Sequence, residues 1–271
     1  MGIDHEKTPF ARAKRSLGQN FLVDDNIVRK IVGALGSIHE ETIVEIGPGR
    51  GALTKAIMAA SPGRYVAIEM DRELAPHIKS TFAEKARVDV ICANALDMQW
   101  EKLSGLAPVK IVGNLPYNVA SPLMWDIVSR ARQWSLAVFM VQYEVARRIV
   151  ATPGNKEYGG LSVWLQSYAT PRLLFKVPPS VFRPRPKVDS AVVAFVPRSF
   201  TELPLHGAYL ARLIKQCFGK RRKQMQSILR DDFDSEVESI FVAAGVHGRS
   251  RPEELSPEVF EKLSNVLAQR A

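Results

Sequence analysis

Between Thr42 and about Val196, short apolar runs typical of β-strands alternate with stretches of helical periodicity. Repeated βα units of this kind fold as a mostly parallel sheet that is covered by helices on both faces. We therefore predict an α/β domain over this part of the chain. The predicted strands are Thr42–Ile46, Tyr65–Glu69, Val88–Cys92, Val109–Gly113 and Leu136–Gln142, and the predicted helices are Ala52–Ala60, Arg72–Lys85, Ser121–Arg132 and Tyr143–Val150.

The pattern changes near residue 200. Two more apolar runs, around Leu161–Tyr168 and Ser190–Val196, are predicted to be the final strands. After Pro197 only helical patterns remain, and Ser256 is the predicted N-cap of the last helix. We therefore expect an α/β domain over residues 1–200, with a basic N-terminal arm at 1–18, and a small all-helical domain over 201–271. The helices predicted there are Ala208–Cys217, Arg222–Arg230, Glu236–Ala243 and Pro257–Leu267.

Positive charge is concentrated in two segments that carry no acidic residue. The chain has 37 lysines and arginines against 28 aspartates and glutamates, a net charge of +9. Residues 7–15 hold four basic residues and residues 203–230 hold seven. Concentrated positive charge suits phosphate contacts, so we predict a nucleic-acid partner, although a solvated helix start is the alternative. The predicted contacts are Lys220, Arg221, Arg222 and Lys223, with Arg183 and Lys187 as further candidates.

The sequence argues against several other classes of protein. Its two cysteines, Cys92 and Cys217, have no C-x-x-C neighbours, and its five histidines include no pair four residues apart. We therefore predict neither a disulfide framework nor a metal site. The longest apolar runs are far too short to span a bilayer. The basic N-terminus has no apolar segment behind it, so we expect a cytoplasmic protein without a membrane partner.

A glycine-rich loop with Gly47 and Gly49 follows the first predicted strand and opens a helix. Glycine lets a ligand approach the backbone closely, although a plain tight turn is the alternative. The spacing is not that of a dinucleotide site, so we predict a nucleoside cofactor. Glu69 ends the next strand, where a carboxylate can accept both ribose hydroxyls, and Asp71 competes for this role. After the third strand, Asn94 or Asp97 could bind an adenine, and a plain loop fits equally well.

The motif Asn114-Leu115-Pro116-Tyr117 follows the fourth predicted strand. It offers a side-chain carbonyl, freed backbone carbonyls and an aromatic face, which together suit an exocyclic amine on a flat base. A simple turn is the alternative for the asparagine. Phe182 lies in a proline-stiffened basic loop, where we predict an exposed aromatic for the other face of the base, in preference to a core residue. The two strand-end motifs together predict methylation of an amino nitrogen.

These motifs together resemble the ribosomal RNA adenine N6,N6-dimethyltransferase family. The resemblance implies a Rossmann-like class I methyltransferase that uses S-adenosylmethionine on two adjacent adenines near the 3′ end of small-subunit rRNA. It also implies a 30S-type pre-ribosomal particle as partner, and we expect a monomer. It places Asn20, Leu22, Gly47, Glu69, Asn94 and Asn114 at the cofactor, and Asn114, Leu115, Pro116, Tyr117 and Phe182 around the target adenine. The matching segments are 19–22, the glycine loop, 114–117, 182–184, 187–190, 221–223 and 251–256.

The chain departs from the family pattern at three positions. Asn94 replaces the usual aspartate, Tyr143 a lysine and Ser227 an asparagine. The Asn94 carbonyl can still accept a bond from an adenine amino group, and the other two changes leave the predicted chemistry untouched.

Two alternative functions remain open. One is a large-subunit rRNA adenine methyltransferase of the macrolide-resistance type, and the other is a non-catalytic ribosome-assembly or transcription factor on the same fold. The extended basic C-terminal region favours the small-subunit family over the first. The intact motif from Asn114 to Tyr117 argues against the second.

Overall fold

The computed structural model describes residues 13–14, 17–83, 87–106, 108–131 and 133–270. The predicted helix ends Lys85 and Arg132, and most of the basic arm, lie outside these residues. Seven of the described strands form one mixed sheet, and two short ones form a separate antiparallel pair. The large sheet contains β2 (Thr42–Ile46), β3 (Arg64–Glu69), β4 (Val88–Cys92), β5 (Val109–Asn114), β6 (Trp134–Gln142), β7 (Ala169–Val177) and β9 (Ser190–Pro197), and the pair is β1 (Phe21–Leu22) with β8 (Phe182–Arg183).

The strand order of the large sheet is β4-β3-β2-β5-β6-β9-β7. The first five strands in this order are parallel, whereas β9 runs antiparallel to both β6 and β7. The chain order reverses between β2 and β5, and ligands of such sheets bind at the carboxyl ends of the strands at this point. The five strands predicted for this region are confirmed, with ends that agree within two residues.

Helices cover both faces of the sheet. Ile43 and Val44 are adjacent in β2 but belong to different apolar clusters, because successive side chains of a strand point to opposite faces. The first three helices cover one face, and the next three, with the C-terminal helices, cover the other. The six helices are α1 (Asp25–Ala34), α2 (Ala52–Ala59), α3 (Leu74–Thr81), α4 (Ala120–Arg130), α5 (Tyr143–Ile149) and α6 (Gly160–Tyr168).

The prediction of a strand at Leu161–Tyr168 is wrong, because these residues form α6. Six of the nine residues of this helix are buried, including polar Ser162 and Ser167, and none is exposed. A short run that is buried all round carries neither the helical nor the strand period, so its pattern cannot separate the two structures. The helix begins at Gly160, where the Ser162 hydroxyl accepts a bond from the Gly159 N–H at 3.0 Å.

The strand that the pattern missed is β7, directly after α6. It contains Pro171, and a proline within a run argues against a central strand. In this sheet β7 lies at the edge and pairs only with β9. The N–H group that Pro171 lacks therefore breaks no hydrogen bond to a second neighbouring strand. The other predicted final strand, Ser190–Val196, is confirmed as β9.

The described residues after Pro197 form helices and turns. The helices are α7 (Gly207–Gly219), α8 (Met225–Leu229), α9 (Ser235–Ala243) and α10 (Pro257–Ala268), so α8 begins three residues later than predicted. Ser256 occupies the N-cap position of α10, but its side chain makes no capping hydrogen bond. Within the described residues no helix combines the length and apolar content that crossing a membrane requires.

The C-terminal helices pack tightly on the α/β part of the chain. One continuous apolar cluster includes residues of the sheet, of α6 and of α10. The Tyr158 hydroxyl donates to the Leu255 carbonyl at 2.9 Å, and Arg198 forms an ion pair with Glu261 at 2.7 Å. The division into 1–200 and 201–271 therefore remains a prediction based on the change of pattern.

Candidate active site

A cleft opens where the chain order of the sheet reverses, at the carboxyl ends of β2, β3, β4 and β5. It contains about 800 Å³ of space, part of it open to solvent. The segment from Leu17 to Phe21 closes one side. Nine of the predicted site residues line this cleft: Asn20, Gly47, Gly49, Glu69, Asn94, Asn114, Leu115, Pro116 and Tyr117.

The glycine loop between β2 and α2 turns through backbone conformations that disfavour other residues. Gly47 and Gly49 have φ angles of 64° and 57°. A Cβ atom on Gly49 would also lie 3.1 Å from the Phe21 ring. The loop therefore presents bare backbone to the cleft, as the sequence predicts.

Glu69 ends β3 at the floor of the cleft and is 6% exposed. One carboxylate oxygen accepts from the Gly49 N–H at 3.0 Å and the other from the Asp71 N–H at 2.9 Å. Burial raises the pKa of this carboxyl, and the two backbone hydrogen bonds oppose the rise. Each oxygen can still accept a further bond, so the carboxylate is held in place with room for a pair of hydroxyl donors.

Asp71, the competing candidate for the ribose, is engaged elsewhere. Its carboxylate accepts from Lys14 Nζ at 2.7 Å, Gln19 Nε2 at 2.8 Å and the Glu73 N–H at 3.0 Å. Burial by itself would raise the pKa of Asp71, but these hydrogen bonds, that of Lys14 foremost, hold it below its ordinary value. Asp71 therefore fastens the described residues of the segment 13–20, named here the N-terminal strap, beside the cleft.

Lys14 itself belongs to the basic arm that the charge pattern assigned to nucleic acid. Its ammonium group lies 2.7 Å from Asp71 and 3.2 Å from Glu73. The hydrogen bond with Asp71 raises the pKa of Lys14. In this structure the charge of Lys14 is therefore used within the protein, to hold the strap.

Asn114 ends β5 and is oriented by the strap. Its Nδ2 donates to the Asn20 carbonyl at 2.9 Å. A carbonyl can only accept, so this bond fixes which end of the amide is the nitrogen and turns Oδ1 away from the strap. No described residue donates a hydrogen bond to Asn114 Oδ1 or to the Leu115 carbonyl. The motif therefore offers two open acceptors at one edge of the cleft.

Tyr117 stands beside these acceptors and is held by β9. Its hydroxyl lies 2.6 Å from Ser190 Oγ, and Ser190 is fully buried. Burial raises the pKa of Tyr117, so the phenol stays neutral at physiological pH. With its tip fixed, the half-buried ring keeps one orientation along the cleft.

Asn94 uses its side-chain oxygen for local structure. Oδ1 accepts from the Leu96 N–H at 3.1 Å and so caps the short helical turn Ala95–Asp97. The side chain still lines the cleft, and an amide oxygen can accept two bonds. A contact between Asn94 and a cofactor adenine therefore stays a prediction.

A second buried carboxylate, Glu45, lies near the glycine loop but does not line the cleft. Its Oε2 accepts from the Tyr65 hydroxyl at 2.6 Å and from Thr54 Oγ1 at 2.8 Å. Burial raises the pKa of Glu45 to about 7. This group joins β2, β3 and α2 beneath the loop.

The prediction of an exposed Phe182 is wrong, because the side chain is fully buried. Phe182 lies opposite Leu22 in the pair formed by β8 and β1, and both side chains belong to the apolar cluster on one face of the sheet. The polar composition of the surrounding loop hid this inward-facing position. Neither Leu22 nor Phe182 lines the cleft in this structure.

Sequence reasoning missed Phe21 and Met70 as lining residues of the cleft. Phe21 precedes Leu22 in β1, so its side chain takes the opposite direction. Its ring contacts Gly49 and lies 4.5 Å from the Arg50 guanidinium. Met70, which follows Glu69, is 52% exposed. The sequence signal for this side of the cleft is an apolar residue directly after the acid that ends β3.

The basic run after α7 forms a turn in which one member is used structurally. The Arg221 guanidinium forms an ion pair with Glu253 and donates to the Lys156 carbonyl at 2.8 Å. The exposed side chains of Lys220, Arg222 and Lys223 form no ion pair with a described acidic residue. Arg183 and Lys187 are likewise exposed, outside the cleft.

Comparison with known proteins identifies the family. Residues 10–269 match the family model described as "Ribosomal RNA adenine dimethylase". A ribosomal RNA small subunit methyltransferase A of Nitratidesulfovibrio vulgaris is 48% identical over 96% of this chain and 98% of its own length. The corresponding protein of Maridesulfovibrio salexigens is 49% identical over 93% of this chain and 94% of its own length.

Solved structures agree in fold. A dimethyladenosine transferase from Plasmodium falciparum superposes with a TM-score of 0.77 at 21% identity, over 92% of this chain and 98% of that one. The 23S rRNA methyltransferase ErmE gives 0.71 at 26% identity, over 92% of this chain and 100% of that one. These neighbours confirm the predicted Rossmann-like class I methyltransferase fold. The chain therefore belongs to the ribosomal RNA adenine dimethylase family and is an rRNA adenine methyltransferase.

Proposed function

We propose that this protein transfers methyl groups from S-adenosylmethionine to N6 of two adjacent adenines near the 3′ end of small-subunit rRNA, and forms N6,N6-dimethyladenosine. The observation that carries the proposal is the hydrogen bond from Asn114 Nδ2 to the Asn20 carbonyl. This bond leaves Asn114 Oδ1 open, and no described residue donates to the neighbouring Leu115 carbonyl, so both acceptors are available beside the cleft. Two acceptors in this position match the two N–H groups of an exocyclic amine.

The cleft fits S-adenosylmethionine. The bare backbone at Gly47 and Gly49 admits the amino-acid part of the cofactor, and Glu69 offers a fixed carboxylate to the ribose hydroxyls. Asn94, Met70 and Leu96 line the wall that remains for the adenine. When bound, S-adenosylmethionine supplies an electrophilic methyl group.

Asn114 and Leu115 activate the target nitrogen. The lone pair of adenine N6 is delocalised into the ring, so the free amine is a poor nucleophile. Hydrogen bonds from its two protons to Asn114 Oδ1 and the Leu115 carbonyl favour a more pyramidal nitrogen with a localised lone pair. The same acceptors stabilise the positive charge that develops on N6 during attack.

The target adenine must leave its stack to reach these acceptors. Tyr117 offers an aromatic face at the edge of the cleft, and its bond to Ser190 keeps the ring ready for stacking. After attack the nitrogen is strongly acidic and loses its proton to water, so no dedicated base is required. A second methylation then proceeds in the same pocket.

The basic surface supplies the contact with rRNA in the proposed small-subunit precursor. Lys220, Arg222 and Lys223 are exposed and free of described acidic partners, which suits phosphate contacts. The rival large-subunit function is not favoured, because relatives at 48% identity are named small subunit methyltransferases, whereas ErmE is 26% identical. We further propose that the protein acts as a monomer in the cytoplasm.

The test is a methylation assay with mapping of the product. The protein is incubated with labelled S-adenosylmethionine and either undermethylated small subunits or protein-free large-subunit rRNA. We expect label only in small-subunit rRNA, as N6,N6-dimethyladenosine at two adjacent adenines near the 3′ end. Label in large-subunit rRNA, or none in either, would contradict the proposal.

A further inference from the structure

A surface groove runs from the start of α4 to α7, outside the cleft described above. It consists of two adjoining hollows of about 750 and 740 Å³, both partly open to solvent. Trp125 and Leu161 line both hollows, which makes them one continuous feature, named here the Trp125 groove. Ser121 and Pro122 lie at the α4 end, and Phe218 at the α7 end.

The floor of the groove offers an aromatic face. The rings of Trp125 and Trp164 are stacked, with centroids 4.0 Å apart and an angle of 6° between their planes. Trp164 is only 4% exposed, so it forms a buried backing for one face of Trp125. The part of Trp125 that lines the groove is therefore its outer face and edge, held flat by the ring beneath.

The rim of the groove on α7 is positively charged. Arg212 and Lys215 line it, one helical turn apart, and both are exposed. Neither forms an ion pair with an acidic side chain among the described residues. Asp126 is the acidic residue that lines the groove, and the nearby Arg130, 4.0 Å away, pairs more closely with Glu101 at 2.8 Å. Among the residues that line the groove, two exposed cations therefore stand against one acid, and the charge is positive on balance.

The groove begins next to the catalytic motif. Helix α4 starts at Ala120, three residues after Tyr117, and Ser121 already lines the groove. Trp125 lies five residues into the helix, roughly 8 Å along its axis. The groove thus starts at the same end of α4 as the motif, so a strand with one base at Tyr117 can continue along α4 towards Trp125.

We propose that the Trp125 groove binds an unpaired nucleotide that flanks the target adenines, with its base on Trp125 and its phosphates at Arg212 and Lys215. An aromatic platform beside paired cations is the chemistry by which proteins hold single-stranded nucleic acid. The charge at the rim favours a polyanion over an apolar protein segment. This inference rests on the proposed function, because it presumes an RNA strand at Tyr117.

The experiment compares variants in binding to an RNA hairpin that carries the two adenines and their flanking nucleotides. Trp125→Leu keeps apolar bulk but removes the aromatic face, so we expect a loss of affinity of about 5- to 100-fold. Trp125→Phe should bind near the wild-type level. Arg212→Gln with Lys215→Gln should reduce the log–log salt slope by about 2, whereas the control pair Lys55→Gln and Lys79→Gln, on α2 and α3 at the opposite face of the sheet, should leave it unchanged.

A second arm identifies the occupant. Abasic substitution of the flanking nucleotides should weaken binding to the wild type and have little effect on Trp125→Leu. Equal affinity of wild type and Trp125→Leu for the hairpin would overturn the proposal. If the variant instead binds the hairpin normally and binds only whole small subunits more weakly, the occupant of the groove is a protein, and the proposal is again overturned. If Trp125→Leu does not fold, the proposal is tested by the salt slope of the double variant Arg212→Gln with Lys215→Gln, and an unchanged slope would overturn it. Methylation by the wild type, measured separately, tests the proposed function itself.

Discussion

The two halves of the cleft treat their polar groups differently. In the half proposed for the cofactor, Glu69 accepts hydrogen bonds from two backbone N–H groups and Asn94 accepts one. In the half proposed for the base, Asn114 Nδ2 donates a hydrogen bond to the Asn20 carbonyl, and no described donor reaches Oδ1. One half has its acceptors fixed by the backbone, and the other holds an acceptor open.

Under the proposed function, this difference corresponds to binding in one half and reaction in the other. A cofactor site gains affinity when its side chains are already held in the bound geometry, because less conformational entropy is lost on binding. A reaction site gains rate when an acceptor is aimed at charge that appears only in the transition state. Substitutions in the two halves should therefore separate into effects on affinity and effects on rate.

The largest effect is expected from Asn114→Ala. This change removes the open acceptor, and the single-turnover methylation rate on undermethylated subunits should fall by roughly 10²- to 10³-fold. Asn114→Asp keeps an acceptor but loses the donor to the Asn20 carbonyl, so its rate should lie between those of alanine and wild type. RNA affinity should barely change in either variant. If both variants methylate at the wild-type rate, Asn114 is only a turn residue and the proposed difference between the two halves is contradicted.

The next largest effect concerns Glu69. Glu69→Ala removes a charged acceptor, which is expected to cost about 2–3 kcal/mol of cofactor affinity, or roughly 30- to 150-fold in Kd. Calorimetric titration with S-adenosylmethionine measures it. Asp89→Ala on neighbouring β4 is the matched control, because its carboxylate pairs with Arg64 at the surface. Unchanged affinity in a folded Glu69→Ala protein would place the ribose contact elsewhere.

A smaller effect is expected from Asp71, which fastens the strap. Asp71→Asn removes the ion pair with Lys14 and leaves only a hydrogen bond, so it should accelerate cofactor dissociation about two- to fivefold, as measured by stopped-flow. Glu73→Gln changes a carboxylate near the same ammonium group, but it leaves the bonds of Asp71 to Lys14 and Gln19 in place. It should therefore have no effect on dissociation. Equal rates in the two variants would show that Asp71 does not hold the strap closed.

The smallest effect is expected from Glu45, and it concerns the free energy of unfolding and not the affinity for the cofactor. Its pKa is about 7 in the folded protein against an ordinary value of 4.5. Between these values the folded state binds the proton and the unfolded state does not, so the free energy of unfolding falls as pH rises, by at most about 1.4 kcal/mol per pH unit. Glu45→Gln should remove this contribution in denaturant titrations at pH 5 and pH 8. A changed cofactor Kd would mean that Glu45 takes part in binding.

Much of the fold could be predicted because its signals are local. The parallel strands are apolar runs bounded by turn residues, and the helices between them have a clear period. The errors occur where burial hides the period, as at Leu161–Tyr168, or where a proline lies on an edge strand, as at Pro171. Phe182 shows the same limit for the site, since a polar loop gave no sign of an inward-facing side chain.

The sequence by itself determined which motifs meet at the cleft, because Gly47–Gly51, Glu69 and Asn114–Tyr117 lie at strand ends that a parallel sheet must bring together. Only the tertiary structure decided how those groups are held. The bond between Asn114 and Asn20 joins residues 94 apart in the chain, and that between Gln19 and Asp71 joins residues 52 apart. Hydrogen bonds between residues so far apart in the sequence depend on how the elements pack, and no local sequence pattern encodes that packing.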